Sequence, residues 1–401
     1  MKQMKRVLAA VLALAVVLSF TGCRLRIRRE IASINGNMVT EAEFKYYLET
    51  VKQQMLQEAG ETDSDTFWES EIDGEKAGDL AKKKAMEELI RVEIANAKAI
   101  EKGLTLDQSV TSNIKATVNA KDKTQKAQVD ELKKMTGLDD ELLITLLTKT
   151  AMASQYANDV LANDSAKVTP AENKISEAYN KDYAVAKHIL IQNTEQSAAS
   201  DTQTPAGAEA TATPEPTTTP SPEEVKAKKK TLADEVLAKV KAGGDFDALI
   251  QEYGEDPGMT SNPDGYMIDK DGYSVVPASQ QQSQQGSGKM VDEFTKGVFS
   301  VAVGQTTDLV ETSFGWHIIK RMPLPTEGEL YDSAIATVKG TLQQDMYNAL
   351  IDSYKSEFDI QIKDDIVNKL KVKAQPTQRP STGTTTGGTT GTGTGTVPAA
   401  N

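Results

Sequence analysis

Ala186-Lys187-His188-Ile189-Leu190-Ile191 and Phe314-Gly315-Trp316-His317-Ile318-Ile319-Lys320 are the two stretches whose reading decides the fold. They contain both of the histidines in a chain of 401 residues. Each histidine opens a run of aliphatic, mostly β-branched residues, the composition of a buried strand. If the two strands are neighbours, the imidazoles meet inside one sheet. A histidine in such a setting is ordinarily a satisfied core residue. What lies between the strands has to decide between packing and chemistry.

Between them, in order, run Gly244-Asp245-Phe246-Asp247-Ala248-Leu249, which reads as a helix entry, and Tyr253-Gly254-Glu255-Asp256-Pro257-Gly258. Met290-Val291-Asp292-Glu293-Phe294, Val298-Phe299-Ser300-Val301, Gly304-Gln305 and Asp308-Leu309-Val310 follow. This ordered set resembles the parvulin family of prolyl isomerases, whose first strand carries His-Ile-Leu and whose last carries His-Ile-Ile. The resemblance implies a catalytic group of His188, Asp256, His317 and Thr312. It also implies an apolar slot for the proline ring lined by Met290 and Phe294, with Met267 as a third wall. An X–Pro bond turns without any bond being made, so neither a cofactor nor a metal is expected. Asp256 falls where the family carries Cys or Asp near the substrate carbonyl. A carboxylate against apolar walls is expected to have a raised pKa.

Departures from the family pattern narrow the expectation. The tract 193–224 contains no Lys or Arg but carries Glu195, Asp201, Glu209, Glu215, Glu223 and Glu224. Parvulins selective for phosphorylated Ser/Thr-Pro place a basic cluster there, so that selectivity is not expected. Asn262-Pro263-Asp264-Gly265-Tyr266-Met267 replaces the family's Gly-Gly-Asp-Leu-Gly. A Gln/Ser loop over 279–288 precedes Met290, and Phe314 stands where relatives have a small residue.

Outward from this unit, the N-terminus carries Lys2, Lys5 and Arg6 ahead of an apolar run from Val7 to Phe20. That run is shorter than the roughly 20 residues of a spanning helix and reads as a signal peptide, residues 1–22. Thr21-Gly22 leads into Cys23, the single cysteine. The stretch resembles a bacterial lipobox, with Phe20 where Leu is usual, and implies a lipidated Cys23. Arg24, Arg26, Arg28 and Arg29 fill a basic linker, 23–30, suited to anionic headgroups. With one cysteine no disulfide framework is available.

Ile31 to Val39 places apolar residues on both sides of Asn35-Gly36, a hairpin signal. Thr40 and Glu43 form a capping box for a helix over about 41–58. Further helical patterns cover about 75–102, which Gly103 ends, then 106–135 and 139–161. Another starts at Thr169-Pro170-Ala171-Glu172, with Pro170 as first helical residue. After the α/β unit, Val338, Leu342, Met346, Leu350 and Tyr354 stripe a helix over about 329–358. Ile360 and Ile362 then alternate with polar residues, as in a strand that could pair with the N-terminal ribbon. Ser/Thr/Ala/Pro and Thr/Gly tracts over 197–222 and 375–401 lack the apolar residues to fold.

The expected fold is therefore α+β. A mainly helical domain is built from 31–178 and 326–372, with a parvulin-like α/β domain, 183–322, inserted between. The flanking pattern of Ser33-Ile34-Asn35-Gly36 with Thr40 and Glu43, plus the helical block, resembles PrsA- and SurA-type foldases. That implies an extracytoplasmic, lipid-anchored folding factor at the cell membrane, whose partners are unfolded secreted polypeptides with X–Pro bonds. A net charge of −13 disfavours nucleic acid. The alternatives are an inactive holdase on the same fold, or a lipid-anchored solute-binding or scaffold protein with a deep polar pocket between two lobes.

Overall fold

The computed structural model describes residues 29–193, 221–280 and 288–375. The leader, Cys23, nearly all of the 197–222 tract, most of the Gln/Ser loop and the Thr/Gly tail lie outside the described residues.

Asn35 and Gly36, both at positive φ (50° and 77°), turn β1 (Glu30–Ile34) into β2 (Asn37–Thr40). This is the mirror-image turn whose twist suits a two-residue hairpin. Thr40 then caps α1 (Glu41–Ala59): its hydroxyl accepts from Glu43 N–H, and the Glu43 carboxylate accepts from Thr40 N–H at 2.8 Å. A short α2 (Asp65–Glu69) follows, then β3 (Glu71–Ile72) and β4 (Glu75–Lys76) around Asp73-Gly74. The helix α3 (Ala77–Glu101) packs along α1, and its Ala81, Ala85 and Leu89 are buried.

The pattern over 106–135 is two helices rather than one, α4 (Gln108–Val118) and α5 (Lys123–Thr136). Asp122 explains the break, because its carboxylate accepts from the N–H groups of Thr124 and Gln125 and starts a new helix. After α6 (Asp140–Asn163), α7 (Glu172–Asp182) begins with Ala171 as N-cap, so Pro170 lies outside the helix.

The sheet unit contains β5 (Tyr183–Gln192), α8 (Pro222–Lys241), α9 (Phe246–Tyr253), α10 (Pro257–Ser261) and β6 (Tyr266–Asp269). It continues with α11 (Asp292–Ser300), β7 (Val310–Thr312) and β8 (Gly315–Met322). The chain then runs through α12 (Glu329–Ser353), β9 (Ile360–Ile362) and α13 (Asp364–Val367).

The architecture is α+β. Contacts divide the described chain into two compact units: residues up to Asp159 together with those from Ile351 on, and Val160–Leu350. In the first, β9 pairs antiparallel with β1, Ala32 opposite Ile362, giving the order β2-β1-β9. The beginning and end of the chain thus share one sheet. A bidentate pair from Arg91 to Asp352 (3.1 and 2.8 Å) ties α3 to the returning segment.

In the second unit a four-stranded antiparallel sheet has the order β6-β5-β8-β7. The central β5 is buried almost throughout, as a strand covered on both faces must be. One face carries Ile189, Ile191, Trp316 and Ile318 under α8 and α9. Further along that face, Tyr183, Val185 and Met267 pack with Ile175 and Tyr179 of α7 and Ala334 and Val338 of α12. These two helical segments, which the sequence reading assigns to the helical domain, complete the apolar cover of the sheet. The opposite face carries Ala184, Ala186, Ile268 and Ile319 beneath Phe294 and Val298 of α11. The histidines point to this second face.

Candidate active site

Register fixes the histidines first. His188 on β5 lies opposite Ile319, and His317 on β8 lies opposite Leu190. Residues two apart share a face, so the imidazoles are diagonal neighbours. Their Nδ1 atoms are 3.1 Å apart, and both side chains are buried. At one end of the pair, Thr312 Oγ1 sits 2.9 Å from His317 Nε2. At the other, His188 Nε2 is 2.7 Å from Asp256 Oδ2. The Phe294 ring, 2% exposed, presents edge-on contacts to both imidazoles, at 5.1 and 5.4 Å between centroids. Met290 is half-buried against the same cluster, just before the N-cap Val291 of α11.

Asp256 is placed by the main chain around it. Glu255 N–H donates to Leu190 O at 2.9 Å, and its carboxylate accepts from Gln192 N–H at 2.6 Å and from Lys229. The loop is thereby stitched to the end of β5, beside His188. Asp256 then caps α10, accepting from Gly258 N–H at 2.9 Å, and receives the Tyr266 hydroxyl at 2.8 Å. Gly258 is needed here for space: a Cβ on it would stand 1.9 Å from that hydroxyl.

The electrostatics follow. Burial is the largest single influence on the Asp256 carboxyl and raises its pKa. The hydrogen bonds from His188, Gly258 N–H and Tyr266 together outweigh it and bring the pKa down to about 2. The expectation of a raised value is therefore corrected, because apolar walls do not act alone on a carboxylate with three donors. Burial, aided by the neighbouring imidazole, pushes His317 down to about 3, so it is neutral at ordinary pH. Burial and the adjacent carboxylate push the Tyr266 phenol up, keeping it a donor.

The ionised carboxylate fixes the direction of the proton at its end of the run. Ionised Asp256 can only accept, so His188 Nε2 donates to it. The Thr312 hydroxyl accepts from Phe314 N–H at 3.1 Å and has two further partners, His317 Nε2 at 2.9 Å and Gly315 O at 3.4 Å. His317 bridges the Thr312 hydroxyl and His188 Nδ1 through its two ring nitrogens. The run of hydrogen bonds is Thr312, His317, His188, Asp256.

The structure thus brings together His188, His317, Asp256, Thr312 and Phe294, with Met290 at their edge. It does not bring Met267 there. Met267 pairs with Val185 and points to the opposite face, among Ile175, Tyr179 and Tyr183. Its neighbour Tyr266, opposite Ala186, takes the site face and stands edge-on to His188 at 5.9 Å. Tyr266, Gly258 and Glu255 were not singled out in the sequence. The usable signal for Tyr266 was parity, since a strand residue opposite Ala186 shares the face of His188. Among the described residues, no cluster of His, Cys, Asp and Glu is arranged to hold a metal, and no helix is long and apolar enough to cross a membrane.

Comparison with known proteins agrees with this geometry. The family model for the PPIC-type PPIase domain matches residues 173–322. That segment, which holds the sheet and the histidine pair, belongs to the parvulin-type peptidyl-prolyl isomerases. Over most of its length the chain is similar to the foldase protein PrsA of Caldanaerobacter subterraneus subsp. tengcongensis. The two are 24% identical over 352 residues, 86% of this chain and 89% of that protein. It is 36% identical to the foldase protein PrsA of Geobacillus kaustophilus over 98 residues, 24% of this chain and 28% of the relative. A crystal structure of PrsA from Bacillus cereus aligns at 17% identity over 87% of this chain and 95% of its own, with a TM-score of 0.29. The chain is thus similar to PrsA over most of its length and parvulin-type in the segment 173–322.

Proposed function

We propose that this chain is an extracytoplasmic folding factor that binds unfolded secreted polypeptides and turns their X–Pro bonds at the His188–His317 site. One observation carries the reading: the unbroken run of hydrogen bonds from Thr312 to Asp256, roofed by Phe294, in the segment the isomerase family model matches.

The chemistry asked of such a site is modest. Rotation about the prolyl amide crosses a barrier of roughly 20 kcal/mol because the planar amide is resonance-stabilised. A site lowers that barrier by holding the twisted form better than the planar one. Phe294 and Met290 offer apolar surface for the pyrrolidine ring. The hydrogen-bonded histidine pair makes a stiff polar floor whose ring nitrogens are committed to one another, to Thr312 and to Asp256. An ionised Asp256 repels a carbonyl oxygen and cannot protonate it, so its role is to orient His188. This makes Asp256 a positioning residue, and the floor a template for one rotamer of the substrate.

The anchor belongs to the same proposal. The Val7–Phe20 run followed by Thr21-Gly22-Cys23 supports export and lipidation at Cys23, which would hold the protein on the outer face of the cell membrane. Radiolabelled palmitate incorporated into the wild type and lost with Cys23→Ser tests it, and incorporation that survives the substitution refutes it.

The isomerase reading is tested with a protease-coupled assay on Ala-X-Pro-Phe tetrapeptides. Met290→Ala should lower kcat/KM by about tenfold, the loss of roughly 1.4 kcal/mol of transition-state contact. Unchanged turnover in Met290→Ala and His188→Ala together would remove the site from the reaction. If the wild type is inactive yet still suppresses aggregation of an unfolded client, the holdase alternative takes its place.

A further inference from the structure

The end of the helical unit contains an arrangement that the isomerase site does not use. After α13 the chain runs without secondary structure from Leu370 to Gln375, across α1, α2 and the start of α3. Leu370, Val372 and Ala374 are turned partly inward, while Lys371 and Lys373 are exposed. That alternation is the side-chain pattern of an extended strand. Among the described residues, however, no strand pairs with it. Side chains of the helical unit hold its backbone instead.

The grip is on main-chain atoms. Lys52 Nζ donates to Lys373 O at 2.8 Å, Asp65 accepts from Ala374 N–H at 2.8 Å, and Asp63 accepts from Gln375 N–H at 2.8 Å. Lys82 reaches Asn368 O at 3.4 Å. Among the described residues, the one hydrogen bond from a side chain of the segment runs from Gln375 to Glu49. Contacts of this kind recognise any extended backbone and read little of its sequence.

The gripping groups are also held independently of the segment. Lys52, only 2% exposed, is paired with Glu49 at 3.3 Å and lies over the Trp68 ring. Asp63 accepts from the Trp68 indole at 2.6 Å. Clefts of about 480 and 470 Å³ flank the segment on its two sides. The groove is therefore built and oriented by the helices, and it is wider than its occupant.

We propose that this groove is a binding site for extended, unfolded polypeptide with aliphatic side chains at alternate positions, and that residues 370–375 fill it as a displaceable strap. The proposal rests on the folding-factor reading and adds where in the helical unit a client lies. A client carbonyl takes the place of Lys373 O on Lys52, and client N–H groups take the places of Ala374 and Gln375 on Asp65 and Asp63. Buried Lys52 keeps its pairing with Glu49 during exchange, so its charge is not stranded when the strap leaves. Apparent client affinity is lowered by the fraction of time the strap is seated.

The strap can be locked. An ideal Cβ on Gly78 would lie 3.3 Å from Val372 Cβ and 3.1 Å from Trp68 O, slightly closer than the roughly 3.5–4.5 Å usual between disulfide Cβ atoms, so a small shift of the strap seats the bond. The test uses the full chain with Cys23→Ser, Gly78→Cys and Val372→Cys, oxidised and then reduced. The probes are a fluorescent peptide with the sequence of residues 369–375 and reduced, carboxymethylated α-lactalbumin. Both should bind the reduced form about tenfold or more tightly than the oxidised form, and each should displace the other. A chain ending at Asn368 should bind like the reduced form or better, which guards against a substitution that merely disturbs packing. Equal affinity in the locked, reduced and truncated proteins overturns the strap. Equal α-lactalbumin binding with isomerase activity intact sinks this inference alone, whereas loss of both client binding and isomerase activity in every form sinks the folding-factor reading as well.

Discussion

Acidification from pH 7.5 to 5.0 should weaken the isomerase unit through one residue, His317. Its pKa falls from an ordinary 6.5 to about 3 in the folded protein. The folded state therefore refuses a proton that the unfolded chain accepts. Stability from this group is fully present above pH 6.5 and declines as pH falls toward 3, because the unfolded state binds more protons throughout that window. At pH 5.0 the unfolded histidine is about 1.5 pH units below its pKa, which at about 1.4 kcal/mol per unit amounts to about 2 kcal/mol. Asp256 adds nothing in this range, since its depressed pKa costs stability only below about pH 4.

The assay is urea denaturation followed by Trp316, which is buried on the strand that carries His317. A Trp68→Phe background removes the other tryptophan. His317→Gln should be less stable than the parent at pH 7.5, with the gap closing by about 2 kcal/mol at pH 5.0. A gap that stays constant across this range would refute the reasoning. So would an NMR titration in which the His317 ring protons shift with a midpoint near 6.5.

Other expectations follow from the same contacts. Gly258→Ala puts a methyl into the Tyr266 hydroxyl; it should cost about 1–3 kcal/mol of stability and lower kcat/KM, measured by urea titration and the tetrapeptide assay. Tyr266→Phe removes one of the donors to Asp256, so the Asp256 carboxyl should titrate at higher pH, visible in the side-chain carboxyl ¹³C shift. Thr40→Ala breaks the capping box of α1 and should lower the stability of the helical unit by about 1 kcal/mol, seen in thermal unfolding by circular dichroism.

Much of this was legible in the residues because the deciding signals are local. Asn35-Gly36 dictates its turn through positive φ, Thr40 and Glu43 cap within one helical turn, and the strand β9 announces itself by alternation. The two histidine strands are long and apolar enough to be read singly. What escaped depends on which face a residue takes. Assigning Met267 to the slot, where Tyr266 actually faces it, is a one-residue slip, and in a strand such a slip exchanges the two faces. The depressed pKa of Asp256 escaped for a related reason, since its donors come from β5, the start of α10 and β6. Asp122 was passed over because helical residues lie on both sides of it, and nothing in composition marks a cap inside a polar run. The groove around residues 370–375 left no mark in the sequence, because the segment's contacts are made by its backbone.

The sheet that joins β1 to β9 sets an order of events. A chain delivered N-terminus first presents Ala32 long before its partner Ile362 arrives, so the hairpin at the start must wait with one edge unpaired. The isomerase unit is continuous in sequence and has no such wait. Pairings between distant residues form slowly, and each Lys363-to-Ile31 or Asn35-to-Asp359 contact is of that kind. The catalytic part should therefore mature while the helical part is still open, and a ribosome-stalled or truncated product ending before residue 360 should already contain a protease-resistant core spanning the sheet from β5 to β8.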